Sequence, residues 1–215
     1  MRMRTPLLAG ALCLAYATPA FACNFYFAST FMRMPARPSF GAGVNAELSD
    51  PAYLGISGDV AMRLGNNMVV QPAIGICTGN DETDPFFGAG FAYRLTQSGT
   101  TSLNLQSGIA YASSDGGNEM TVPIGLAASF AGMGNMGFYA GASLWWRQVE
   151  VNDESASDSD PVLFGGLQSM SGSMAWSLGA QLRLGDDDTN FGIVVGLGMN
   201  QAASAIRHIG NLVRR

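Results

Sequence analysis

Lysine is absent from this 215-residue chain, and charge of either sign is scarce, with Asp, Glu, Lys and Arg together making up 13%. A water-soluble surface needs roughly a quarter of its residues charged, so the composition argues against an ordinary soluble domain. Histidine occurs once, at His208. Cysteine occurs three times, at Cys13, Cys23 and Cys77, too seldom for a disulfide-stapled scaffold. Beyond residue 22 no apolar run approaches the roughly 20 residues that a membrane-spanning helix requires. The acidic balance, a formal net charge of −5, is not that of a nucleic-acid binder.

What is present begins with a leader. Arg2 and Arg4 precede an apolar stretch from Leu7 to Ala17, and Ala20 and Ala22 flank Phe21, which is the n-region, h-region and small-residue cleavage pattern of a signal peptide over residues 1–22. The apolar run is too short for an anchor. Once Arg2 and Arg4 leave with the leader, nine arginines face 16 acidic residues, and the mature chain is the size of one barrel or sandwich domain. Glycine is abundant, at 28 residues.

From residue 40 onward the chain falls into nine stretches in which large apolar residues alternate with small or polar ones. They run over 40–48, 53–64, 68–76, 86–95, 102–112, 120–130, 136–148, 173–184 and 191–199. Period two is the signature of β-strands. Leu54, Ile56, Val60, Met62 and Leu64 oppose Tyr53, Gly55, Ser57, Asp59, Ala61 and Arg63. Near the end, Met174, Trp176, Leu178, Leu182 and Leu184 oppose Ser173, Ser177, Gly179, Gln181 and Arg183. A soluble barrel would turn the large apolar face inward and leave Gly, Ala and Ser to hydrate the outside. A membrane barrel does the reverse, packing the polar face into its lumen. Arg63, Arg94, Arg147 and Arg183 all fall on the small-residue face, together with Asp59, Glu47, Asn104, Gln106 and Gln181. The expected fold is therefore all-β, an up-and-down antiparallel transmembrane β-barrel over residues 40–200, with these nine residues forming a polar lumen network.

Segment spacing sets the expected topology. The gaps alternate short and long, as they do where periplasmic turns are short and extracellular loops long. On that rule the stretch from Val149 to Gly172 is the largest extracellular loop, an acidic one, and the turns at 65–67, 131–135 and 185–190 face the periplasm. Up-and-down closure requires an even strand number, so the count is 8 to 10: either one segment is not a barrel strand, or the tail over 201–215 supplies a tenth. Residues 23–39 form an N-terminal periplasmic or lumen segment.

The signal peptide, the Gly-rich dyad repeats and the loop alternation together resemble the outer-membrane protein β-barrel superfamily, of the OmpA, OmpX and OmpW kind. That resemblance implies a Gram-negative outer membrane, contact with its lipids and lipopolysaccharide, and insertion by the barrel assembly machinery. It carries no individual function, and the extracellular ligand is unknown.

Candidate sites give way to simpler readings. Gly41, Gly43 and Ala46 imitate a dinucleotide fingerprint but lie within a strand, with Pro51 soon after, where the motif needs a following helix. His208 sits in the weakly patterned tail without an oriented partner, so no catalytic set is assembled and no cofactor is expected. Glu150, Asp153, Glu154, Asp158 and Asp160 lack the glycine and terminal glutamate of a calcium loop and read as a solvated acidic loop, although clustered carboxylates can hold that ion. Cys23 and Cys77 invite a disulfide in an oxidising compartment, which would require residues 23–39 to thread the lumen; lipidation of Cys23 is the other reading. The functional expectation is a non-enzymatic outer-membrane barrel with a structural or surface-interaction role and a side-chain-filled lumen. A narrow, porin-like anion-preferring channel is the alternative, and a lipid-modifying enzyme comes third.

Overall fold

The alternating stretches form a sheet whose two edges meet and close. The computed structural model describes residues 39–47, 53–79, 82–114, 117–132, 135–151, 154–171, 174–185 and 189–199. These form ten strands: β1 (Ser39–Glu47), β2 (Tyr53–Leu64), β3 (Met68–Gly79), β4 (Glu82–Ser98), β5 (Thr101–Ser114), β6 (Gly117–Ala131), β7 (Met136–Val151), β8 (Glu154–Ser171), β9 (Met174–Leu184) and β10 (Thr189–Met199). Each strand pairs antiparallel with its sequence neighbours, and β1 pairs with β10 to close the ring. Closure leaves no exposed ladder edge. The chain enters at Ser39 and leaves at Met199 on the same rim, because Phe40 lies opposite Met199. We call this the terminal rim.

The tenth strand is where sequence alternation is weakest. The stretch expected to be a long acidic loop is the second half of a hairpin: β7 and β8 pair from Met136↔Ser169 to Val151↔Glu154. It escapes a dyad reading because its outward positions, Ser155, Ser157 and Ser159, are as polar as the inward Asp158 and Asp160. The ring closes without a strand from 201–215, which lie outside the described residues, as do residues 1–38 and His208. The extra strand also inverts the topology after it. The turn between β9 and β10 sits on the rim opposite the termini, not with the turn at 65–67 as the gap lengths implied. Gly41, Gly43 and Ala46 lie in β1, each paired to β2 and β10, so no phosphate-binding loop exists there.

Strand lengths divide the wall. β9 and β10 have 11 residues each, which at about 3.3 Å per residue and a tilt near 40° rise roughly 28 Å, close to an apolar band about 25 Å tall. β7 and β8, with 16 and 18 residues, rise about 40 to 45 Å on the same arithmetic. The β7–β8 hairpin therefore stands well above β9, and its surplus, β8 residues 154–161, projects beyond the rim opposite the termini.

Glycine on one strand seats an aromatic ring from the next. Tyr139, 4% exposed, points inward from β7 and lies over Gly166 of β8 and Gly179 of β9. A Cβ on Gly166 would meet Tyr139 Oη at 2.6 Å, and one on Gly179 would clash with the same atom. Phe86 over Gly75 and Phe164 over Gly141 repeat the device. Placing large rings across the faces of glycines lets adjacent strands coil tightly, a requirement of a narrow closed barrel. Gly179→Val should consequently lower stability by about 1 to 3 kcal/mol, the usual range for overpacking, whereas Gly65→Ala at an open turn costs only the strain of its positive φ of 69°. Thermal unfolding of the two refolded variants in detergent checks the order.

Candidate functional site: an apolar girdle and a polar lumen

The outward face is built for hydrocarbon. Leu54, Ile56, Ile74, Ile76, Ile109, Ile124, Leu126, Leu144, Leu163, Leu178, Val195 and Leu197 all stand exposed, Ile74 at 70%. Soluble monomers rarely expose contiguous apolar patches of more than a few hundred Å²; here such residues surround the barrel. Aromatic residues gather at both margins of this band. Tyr93, Phe130, Phe138 and Trp176 lie toward the terminal rim, and Phe87, Tyr111, Trp146 and Phe191 toward the opposite one. Phe87 and Tyr111 pair across β4 and β5 with ring centroids 5.2 Å apart. On β7 the two girdles are eight residues apart, between Phe138 and Trp146, or about 20 Å of height after tilt. Paired girdles flanking an apolar band are how transmembrane barrels meet the two membrane interfaces. Individual aromatics were visible in the sequence, but their alignment into rings depends on strand register.

Above the upper girdle the exterior changes character. Gln148 and Glu150 on β7 and Ser155 and Ser157 on β8 continue the outward face with polar side chains, beyond Ser159, the partner of Trp146. The apolar band thus ends near Trp146, and the taller wall beyond it is hydrated.

Inside, the polar residues separate into two groups. Toward the rim opposite the termini, Asp160 of β8, 2% exposed, lies between Arg147 of β7 and Arg183 of β9. Its Oδ2 is 2.8 Å from Arg147 Nη2 and 3.7 Å from Arg183 Nε. The 2.8 Å contact pairs the charges without aligning an N–H on that oxygen. Asp158, directly across from Arg147, accepts a hydrogen bond from its Nη2 at 3.2 Å. Sequence alternation selected Arg147 and Arg183 but assigned both acids to a loop, so it missed the carboxylate at the centre of this cluster. Nearby, Glu119 Oε1 accepts a 2.8 Å hydrogen bond from Thr121 Oγ1, and both residues are 1% exposed.

Arg63 and Arg94 lie at the other end. Arg63 donates through Nε to Gly65 O at 2.9 Å and through Nη2 to Asn66 O at 2.8 Å, capping the β2–β3 turn at the terminal rim. Arg94 donates to Gln97 Oε1 at 2.8 Å. A recess of about 350 Å³ opens beside it, lined by Arg94, Gln97, Ser102, Ser129, Phe130 and Gln168. Asp59, Asn104, Gln106 and Gln181 are all buried on inward faces between the two arginine groups. Glu47 occupies the last position of β1, opposite Tyr53 and Gly192. Among the described residues no group of three or more His, Cys, Asp or Glu side chains is arranged to hold a metal ion.

A closed antiparallel ring with a lipid-facing exterior and a polar interior defines a membrane-spanning β-barrel. Several solved β-barrel structures are similar to this chain. They include the translocator domain of the autotransporter NalP from Neisseria meningitidis, at 11% identity, covering 91% of this chain and 96% of that one with a TM-score of 0.48. The N-terminal β-barrel domain of Pseudomonas aeruginosa OprF is similar at 10% identity, 76% and 97% coverage and a TM-score of 0.32. The neisserial surface protein NspA is similar at 12% identity, 76% and 95% coverage and a TM-score of 0.32. No family model and no curated protein matches the sequence. A likeness at this level concerns strand architecture and assigns no role to any residue.

Proposed function

We propose that this chain is a Gram-negative outer-membrane barrel with a structural or surface-interaction role, its lumen filled rather than open. The observation that carries the reading is the double aromatic girdle bounding a continuous apolar band. Only a closed barrel satisfies its backbone in lipid while keeping a polar interior, and in bacteria such barrels belong to the outer membrane. Lipids and lipopolysaccharide are then its immediate partners, and the barrel assembly machinery inserts it. The role is non-enzymatic: within the lumen, buried arginines are matched by carboxylates, an arrangement that packs a core and does not activate a nucleophile.

The orientation follows from the wall. Both ends of the barrel sequence lie on the rim that faces the periplasm, and the projecting β7–β8 hairpin with its serine and acidic side chains stands outside. An epitope inserted at 152–153, the β7–β8 turn, should be labelled on intact cells, whereas one inserted at 66–67 should be labelled only after permeabilisation. The reverse pattern inverts the topology.

An anion channel is the competing use of the same arginines. It fits less well because Arg147 and Arg183 are committed to Asp158 and Asp160. The purified barrel in planar bilayers should show no steady single-channel conductance. A reproducible, anion-selective conductance would replace the filled-lumen reading with a pore.

A further inference from the structure

Charge is divided along the barrel axis. Among the described carboxylates, Asp59 alone lies in the half of the wall nearer the terminal rim, and through Ala73 it is level with Gly88 of β4. Arg94 stands six residues further along that strand, about 20 Å away. Arg63 lies opposite Val69, and Val69 opposite Ala92, so the two arginines are close to one level. Both are tied to the β2–β3 turn. Arg63 caps two of its carbonyls, and Arg94 N donates to Asn67 O at 2.7 Å. The ion pairs among the described residues belong to Arg147 and Arg183 at the other end. Two like charges therefore share the terminal rim without a neutralising carboxylate among the described residues, and a concave surface of one sign concentrates anions.

A second observation is the chemistry of the recess beside Arg94. Its volume of about 350 Å³ suits a small ligand group, and no acidic side chain is among its described lining residues. A guanidinium carries five N–H donors. Arg94 Nη1 gives one to Gln97 Oε1 at 2.8 Å, and Nε is buried with no partner among the described residues. Ser102 Oγ and Ser129 Oγ lie 2.6 Å apart across β5 and β6. Only one of their protons sits between them, so the other hydroxyl proton is left to donate elsewhere. Gln168 adds an amide from β8. These donors come from four strands and do not share a plane. A tetrahedral phosphate meets such a set better than a carboxylate, whose two oxygens match a single planar fork. On its membrane side the recess is bounded by Phe130 and Met136, which are 43% and 39% exposed.

We propose that this recess binds a phosphate group, with Arg94 as its direct ligand and Ser102, Ser129 and Gln168 completing the donor set. The apolar boundary at Phe130 and Met136 favours the phosphate of a phospholipid headgroup in the adjoining leaflet over the free ion. That choice of source rests on the outer-membrane reading; the phosphate site itself does not. The test is equilibrium dialysis of radiolabelled inorganic phosphate against the purified barrel, folded in an uncharged detergent and held at constant ionic strength with chloride. Saturable binding is expected. Arg94→Gln should weaken it on the order of tenfold or more, the loss that follows removal of a charge-assisted hydrogen bond. Gln168→Glu should do the same by setting a carboxylate against Arg94, and it keeps the size of the side chain, so the fold is retained. Short-chain phosphatidylglycerol should displace the label at lower concentration than unlabelled phosphate does, while a monoacylglycerol of equal chain length should not displace it. Displacement by the phospholipid no better than by phosphate overturns the lipid source in favour of the free ion. Absence of saturable phosphate binding, or equal binding by the unmodified barrel and both variants, overturns the site. Each sample is first shown to be in its heat-modifiable folded form, so either result leaves the membrane-barrel reading intact.

Discussion

Arginine in place of Leu126 or Leu178 should abolish assembly into the membrane, while arginine in place of Ser157 or Ser159 should be tolerated. All four side chains point outward. Leu126 and Leu178 stand within the apolar band, 47% and 44% exposed, and there arginine costs about 2 to 4 kcal/mol near the bilayer midplane. Ser159 is level with Trp146 at the girdle and Ser157 lies above it, and at or beyond this interface the same substitution costs about 0 to 1 kcal/mol. The readout is the fraction of each variant that migrates as the compact, heat-modifiable form after folding into lipid vesicles. Equal yields for all four would mean that the exposed leucines do not face hydrocarbon.

The same contrast explains how much was legible in the sequence. Where lipid lies on one side and a packed lumen on the other, as along β2, β9 and β10, the chemistry of alternate residues differs sharply and the phase of every strand can be read directly. Above the upper girdle the outer side of a strand is as polar as its inner side, so β8 from Glu154 to Asp160 loses its alternation although its hydrogen bonding continues. That loss hid one strand, reversed the parity of the β9–β10 turn, and turned two lumen-side acids into apparent loop residues. The lumen assignments divide in a related way. Alternation places a residue on the inner face but says nothing of its height, so it could not separate Arg63 and Arg94 at one rim from Arg147 and Arg183 near the other. Height is a property of register, and register becomes visible only when the ring is closed.

Removal of the Asp160 carboxylate should be the most destabilising single change in the lumen. With Asp160 present, two arginines that are 7% and 5% exposed share a 2% exposed counter-charge. Asp160→Ala leaves the side chain of Arg183 beside a lost partner and Arg147 with Asp158 alone, and breaking a buried ion pair by deleting one member typically costs about 3 to 5 kcal/mol. For a chain of this size that lowers the unfolding temperature by on the order of 10 °C. Asp158→Ala removes a partner whose side chain is 38% exposed, an interaction worth about 1 kcal/mol or less. The decisive comparison is Asp160→Leu combined with Arg147→Met and Arg183→Met, which removes Asp160 and both of its arginines at once. Since a well-packed apolar substitute for a buried ion pair is often neutral or stabilising, the triple variant should recover most of the temperature lost in Asp160→Ala. Failure to recover would mean that Asp160 acts through its backbone position in β8 and not by neutralising the two arginines.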